Sequence, residues 1–281
     1  MNNDSNQSIV KCAYKSSEEF AKHLRIKALD MAYKAKSSHM GGLLSEADII
    51  AVLYHDILKY NSADPTDDSR DRFILSKGHC CAVLYSALAD CGFFPVNELD
   101  HFGENGSIFP CHVSHKVPGV ELSSGSLGHG CAVAAGIALN GKIRNKYYHV
   151  YTLMGDGECN EGSVWEMIMF AGHHKLDNLT IIIDANKMQA MGNTKDIIEL
   201  EPFSEKLRDF KWMSLDVDGH NHDELKKAFK ESNDGMPKAI IAHTIKGKGI
   251  SFMENELWWH YQVPYGDYYL NGKKELEGVA L

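Results

Sequence analysis

Apolar residues recur at helical spacing through residues 16–36. Phe20, Leu24, Ala28 and Met31 share one stripe, continued by Ala32 and Ala35, and this period predicts an amphipathic helix. Ser17 is the candidate N-cap, with Glu18 and Glu19 in a first turn whose dipole favours acids. A loop over 37–42, Ser-Ser-His-Met-Gly-Gly, follows, and Ser45, Glu46 and Asp48 open a second predicted helix over 47–58. Residues 61–71 are polar and contain a proline. Arg72-Phe73-Ile74-Leu75 reads as a short buried strand, broken by Ser76-Lys77-Gly78-His79 before a helix over 82–89. Residues 92–119 are rich in Gly, Pro and His without a period, which predicts irregular loops.

The second half alternates more regularly. Helices are predicted over 127–139, 163–174, 203–210 and 222–231, and strands over 149–154, 179–184, 212–217 and 238–243. Strands that read as continuous apolar runs between helices imply a mostly parallel sheet with helices on both faces, an α/β fold. No repeat, low-complexity tract or charge block divides the chain. The expectation is one domain over residues 1–281, with an N-terminal helical segment over about 8–36 and a docked aromatic tail from about 258 to 281.

Composition narrows the function. A formal charge of −9 over 281 residues disfavours general binding to nucleic acid or to an anionic membrane. The apolar runs are strand-length, far short of the roughly 20 residues that span a bilayer. Met1 to Ser8 is polar, unlike a signal peptide. Seven scattered cysteines without a C-x-x-C pair read as free thiols in a reducing compartment, by default the cytoplasm.

The sharpest chemical feature is Gly155-Asp156-Gly157 at the end of the 149–154 strand, followed by a helix, another strand and Asp184-Ala185-Asn186. In a βαβ unit both strands end on the same side of the sheet, where open α/β sheets bind ligands. Asp156 and Asn186 would emerge there together as a carboxylate and an amide carbonyl. That small oxygen site suits Mg²⁺, which completes its octahedron with diphosphate oxygens and water. Glycines beside Asp156 let a phosphorylated ligand approach the backbone. A plain strand-to-helix turn capped by Asp156 is the simpler alternative; the offset to Asn186 favours the ligand site.

At these residues the chain resembles a family. Gly155-Asp156-Gly157-Glu158-Cys159-Asn160-Glu161-Gly162, continuing to Asn186-Lys187-Met188, is similar to the motif of thiamine-diphosphate enzymes. The resemblance implies Asp156 and Asn186 as ligands of Mg²⁺ (or Ca²⁺ or Mn²⁺), with the backbone carbonyl of Met188 as a third, and Glu161 at a subunit interface near the cofactor. Four further stretches resemble transketolases in particular: Ser38-His39-Met40-Gly41-Gly42; residues 70–79 with Ser76-Lys77-Gly78-His79; Pro118-Gly119-Val120-Glu121 with Gly125-Ser126-Leu127-Gly128-His129-Gly130; and residues 242–249 with His243-Thr244-Ile245-Lys246-Gly247. The match runs from about residue 16 to 260 and implies the thiamine-diphosphate PP-domain fold.

By position in those stretches, His39, His79, His112 and His243 are the expected catalytic residues. His79 and His243 would lie nearest the cofactor, with Gly125, Ser126 and Leu127 also touching it, while His39 and His112 would meet substrate hydroxyls. His115 is an alternative to His112. Imidazoles suit that work near pH 7. Ser38 and Met40 stand where the family's loop has Gly and Pro, and His129 where it commonly has Gln, which points to a specialised or modified sugar phosphate.

The resemblance implies transfer of a two-carbon ketol unit from a ketose phosphate to an aldose. It also implies what is missing. The Glu that activates thiamine belongs to a pyrimidine-binding domain, and nothing in this sequence resembles one. The expectation is therefore a split enzyme, completed by a C-terminal subunit in an α₂β₂ assembly. The alternatives are the α subunit of a 2-oxoacid dehydrogenase and a catalytically silent homologue that still binds the cofactor. Zinc at Cys111, His112 and His115, calcium at Asp216, Asp218 and Asp223, and a nucleotide P-loop each lack the required spacing. His173 and His174 read as surface or packing residues.

Overall fold

Five apolar segments pair side by side in the computed structural model, which describes residues 12–279. They are β1 (Arg72–Leu75), β2 (Val150–Gly155), β3 (Leu179–Ala185), β4 (Met213–Asp218) and β5 (Lys238–His243). The sheet is parallel throughout, in the order β1-β2-β3-β5-β4. The register sets Gly155 of β2 opposite Asp184 of β3, and Ala185 of β3 opposite His243 of β5. The carboxyl ends of three adjacent strands are thereby brought level. All seven residues of β3 are buried, whereas the edge strand β4 alternates and carries Asp216 and Asp218 on its partly exposed length.

The two faces of the sheet are covered by two separate apolar clusters, and alternate strand residues enter each. Ile182, Ile240 and Leu153 join α1 (Ser17–Ala35), α2 (Met40–Val52) and α3 (Cys81–Asp90) on one face. Ile181, Ile183, Ile241 and Met154 join α4 (His129–Ile143), α5 (Gly162–His173), and, past the short α6 (Thr194–Ile197), α7 (Phe203–Asp209) on the other. The helix α8 (His222–Lys230) packs on β4. The tail forms a 3₁₀ turn, Leu257–His260, and α9 (Asp267–Glu277), which docks on α1 through Tyr269 and Lys273 hydrogen-bonded to Asp30.

Local capping departs from the sequence expectation at two helix starts. Ser16 rather than Ser17 caps α1: its hydroxyl accepts the Glu19 N–H at 3.3 Å, while Ser17 is buried against His222. Second, α2 begins at Met40, so half of the expected loop is helix. His39 precedes it in the left-handed conformation (φ 73°), and every residue of α2 is buried. A helix packed on all sides has no polar stripe to mark its start. Its last turn widens into a π-turn, Leu53–Ile57. Residues 8–11 of the expected N-terminal helical segment, the Met1–Ser8 stretch and residues 280–281 lie outside the described residues.

Candidate functional site

The turn after β2 holds Asp156, 5% exposed, whose carboxylate accepts the Gly157 N–H at 2.7 Å and the Lys187 N–H at 2.5 Å. Those bonds tie the end of β2 to the turn after β3. In that turn Asn186 donates its amide nitrogen to Asp184 at 3.2 Å and to the Ser45 hydroxyl at 3.4 Å, so its carbonyl oxygen faces the Met188 N–H, 3.2 Å away. The Met188 carbonyl accepts from the buried Lys246 ammonium at 3.0 Å.

A buried ion cluster lies beneath. Lys77 sits between Asp184 (2.5 Å) and Glu46 (3.1 Å), with both carboxylates fully buried. Asp184 also accepts from Ser45 at 2.7 Å and from the Thr244 hydroxyl. Burial alone would raise the Asp184 carboxyl, but the Lys77 ammonium and these hydrogen bonds hold it below the usual range. Glu46, whose oxygens lack a hydrogen-bond partner, is pushed up to about 8 by burial. Asp156 is pushed up to about 7, first by burial and then by the charge of Asp184. A desolvated carboxylate, an oriented amide oxygen and a backbone carbonyl together fit a small hard cation. Among the described residues no group of three or more His, Cys, Asp or Glu side chains is arranged to hold a metal ion by side chains alone.

Beside these oxygens opens a cavity of about 260 Å³ lined by His39, His79, His112 and His260 together with Lys77 and Lys246. The His39 ring centroid lies 4.9 Å from that of His79, 5.2 Å from His260 and 6.1 Å from His112. Burial lowers His39 and His260 to about 4 and His79 well below the ordinary imidazole range, with neighbouring positive groups adding to the effect. These three rings are therefore neutral near pH 7, able to accept a hydrogen bond or donate one. Gly125, Leu127, Gly155 and Gly157 also line the cavity. At Gly125 (φ 156°) a Cβ would come within 3.0 Å of the His112 ring.

Of the expected site residues, the structure gathers His39, His79, His112, Gly125, Leu127, Gly155, Asp156, Gly157, Asn186 and Met188 around one cavity. Ser126 adjoins them in the chain but does not line it. Glu161 is exposed at the start of α5. His243 stands apart from the imidazole group: as the last residue of β5 it turns to the edge strand, pairs with Asp216 at 2.9 Å, and faces a neighbouring cleft. His115 is also elsewhere, exposed and bonded to Ser123 at 2.7 Å, which leaves His112 as the ring on the cavity. His129, His173 and His174 are exposed. Asn221 caps α8, so the aspartates near it serve the turn.

Sequence reasoning named no role for His260, Lys246, Lys77 or Glu158. His260 sits in an aromatic run without loop glycines, so no signal set it apart. Glu158, 2% exposed, accepts from the Gly128 N–H at 2.8 Å, the Gly155 N–H at 3.2 Å and the Ser76 hydroxyl, locking the loop at Gly125 onto the end of β2. Its place one residue past Gly157, inside the Gly-Asp-Gly-Glu stretch, was the available clue.

Comparison with known proteins follows the same outline. Residues 16–267 match the family described as transketolase, thiamine diphosphate binding domain. The chain is 39% identical over 254 residues to one subunit of the apulose-4-phosphate transketolase of Phocaeicola vulgatus, covering 90% of each. It is 40% identical over 240 residues to the 6-deoxy-6-sulfo-D-fructose transketolase subunit SqwG of a Clostridium species, covering 84% of this chain and 87% of that one. The crystal structure of transketolase from Campylobacter jejuni superposes with a TM-score of 0.86 at 34% identity, over 94% of this chain but 43% of that longer one.

Proposed function

Because the chain belongs to the transketolase family, through its thiamine diphosphate binding domain, we propose that it is the cofactor-holding subunit of a two-chain transketolase. The described residues act as that unit in one domain, and it works with a separate C-terminal subunit that carries the pyrimidine-binding domain and the activating Glu, in an α₂β₂ assembly. The observation that carries this reading is the convergence of the Asp156 carboxylate, the Asn186 amide oxygen and the Met188 carbonyl beside a cavity walled by neutral imidazoles. Relatives of similar length from Phocaeicola vulgatus and a Clostridium species bear the word subunit in their names.

Asp156, Asn186 and the Met188 carbonyl would hold Mg²⁺, and through it the diphosphate. Thiamine diphosphate, when bound, supplies the electron sink that two-carbon transfer requires. This chain contributes orientation and proton handling. Lys246, buried beside Asp156, adds positive charge where phosphate oxygens would lie. His39, His79, His112 and His260 meet the hydroxyls of a ketose phosphate, and the neutral rings of His39, His79 and His260 accept or donate a proton as an alkoxide forms or collapses. His243 lines a neighbouring cleft that Asn186 and Met188 also line, which supports its reading as a diphosphate-side residue. The seven free thiols suit the reducing cytoplasm, and among the described residues no helix is long and apolar enough to cross a membrane.

The test is reconstitution. The purified chain with thiamine diphosphate, Mg²⁺ and ketose and aldose phosphates is expected to transfer no two-carbon unit until the partner subunit is added. Turnover by the chain alone would refute the split. Thiamine diphosphate binding without turnover in the presence of the partner would favour a silent homologue, and decarboxylation of a 2-oxoacid would favour the dehydrogenase reading.

A further inference from the structure

Asp48, on α2 and 5% exposed, lies outside the cavity but gathers an unusual set of partners. Both terminal nitrogens of Arg25 meet its carboxylate, His220 Nδ1 approaches to 2.6 Å and His222 Nε2 to 3.0 Å. Burial would raise this carboxyl, but the Arg25 guanidinium and the two imidazoles hold it well below its ordinary range. Each ring uses its second nitrogen differently. His222 Nδ1 meets the Ser17 hydroxyl at 2.8 Å and stays within the helical layer. His220 Nε2 accepts the backbone N–H of Ile245 at 2.8 Å. A ring nitrogen that accepts an N–H carries no proton, so the His220 proton is on Nδ1 and is donated to Asp48.

Ile245 stands at the point where the loop after β5 leaves the sheet. Its predecessor Thr244 bonds Asp184, and its successor Lys246 reaches the Met188 carbonyl. Beyond the last ladder bond of β5, His220 supplies the acceptor that a neighbouring strand would otherwise offer. The ring is held from behind by a carboxylate that Arg25 fixes to α1.

We propose that Asp48 and His220 are positioning residues for the cofactor site: a carboxylate–imidazole pair that fixes residues 244–246, and with them Lys246 against the metal-side carbonyl. The pair acts through this loop, and His220 also borders the neighbouring cleft that Asn186, Met188 and His243 line. The inference rests on the cofactor reading and adds to it the residues that set the loop.

The experiment titrates thiamine diphosphate with Mg²⁺ into the full chain plus its partner subunit by calorimetry, and follows hydrogen exchange of the Ile245 amide in the full chain. His220→Ala is expected to weaken binding about ten- to hundredfold, the range typical of groups that orient a metal site from behind, and to speed Ile245 exchange. His220→Gln, which restores an acceptor at the same reach, should recover part of both. His222→Ala removes a bond from the same carboxylate without touching the loop, and should lower the denaturation midpoint while leaving affinity within about twofold. Wild-type affinity in His220→Ala, or equal loss in His222→Ala, overturns the proposal. If wild-type protein takes up no thiamine diphosphate, the functional reading falls first, whereas normal wild-type uptake with an unaffected His220→Ala sinks only the positioning role.

Discussion

Asn186 turns its amide nitrogen onto Asp184 at 3.2 Å, and that contact decides which end of the amide faces the Asp156 side of the site. Asp184 thus acts twice: the Oδ2 that Lys77 and Ser45 engage also accepts from the neighbour that offers an oxygen. Replacing Asn186 with Asp would put a second carboxylate against Asp184, whereas Asn186→Ala removes the oxygen and keeps the strand. Asp156→Asn and Asn186→Ala are each expected to weaken thiamine diphosphate binding in the presence of Mg²⁺ on the order of a hundredfold or more, at least the effect of removing an outer-shell group. Calorimetry on the subunit pair reads this, and a circular dichroism spectrum like that of wild type shows that the fold survives.

The buried cation has a different signature. Lys77→Met leaves Asp184 and Glu46 facing each other with no positive charge between them. Stripping one member from a buried ion set costs about 3–5 kcal/mol, so the urea midpoint should fall steeply. Pairing the change with Asp184→Asn, which removes the charge that Lys77 balances, should recover part of the loss. An unchanged midpoint in Lys77→Met would show that water reaches the cluster.

His149 gives a pH dependence far from the cofactor. Its ring, 2.8 Å from the Thr180 hydroxyl, is lowered to about 4, first by burial and then by Lys238. An unfolded histidine titrates near 6.5. Between those values the unfolded chain binds a proton that the folded chain refuses, so this residue's contribution is full above about pH 6.5 and is lost as pH falls toward 4. The gap in stability between pH 7 and pH 5 should therefore be smaller in His149→Gln than in wild type. A gap of the same size in both would contradict the assignment, as would a ring titration near 6.5 by NMR.

Two glycines should respond to alanine in different degree. At Gly78 a Cβ would come within 2.3 Å of the Ser124 carbonyl oxygen, a backbone atom, and the loops bearing His79 and Gly125 would be forced apart. At Gly157 the nearest atom, 2.7 Å away, is Cγ of Gln189, a side chain that must give up its hydrogen bond to Asn160 to move. Gly78→Ala is expected to cost about 1–3 kcal/mol and to weaken cofactor binding. Gly157→Ala should lower the denaturation midpoint by less than Gly78→Ala, because a side chain rather than backbone must yield.

The parts legible in the sequence are those where burial writes a periodic signal. The runs at β2, β3 and β5 are apolar because both faces are covered, and their ends locate Asp156 and Asn186 within a residue. The start of α2 was not legible, because a helix buried on every side carries no amphipathic stripe. His243 and Lys246 show the limit from the other direction. They lie three residues apart in one stretch, yet the first is still on the strand and turns to Asp216, while the second lies past the turn and reaches the cavity. His260 arrives from a segment far along the chain, where its backbone carbonyl accepts the His39 N–H at 3.0 Å. Long-range contacts of that kind leave no spacing rule behind them.

The level alignment of β2, β3 and β5 bears on how this chain can change over generations. One residue gained or lost inside β2 or β3 shifts everything beyond it by about 3.3 Å and turns its side chains to the opposite face. Asp156, Asp184 and Asn186 would then miss their partners together rather than one at a time. The stretch from Gln189 to Pro202, which lies outside the sheet, carries no such constraint. Genuine length variation among descendants of this gene should collect there, while residues 150–186 keep their count.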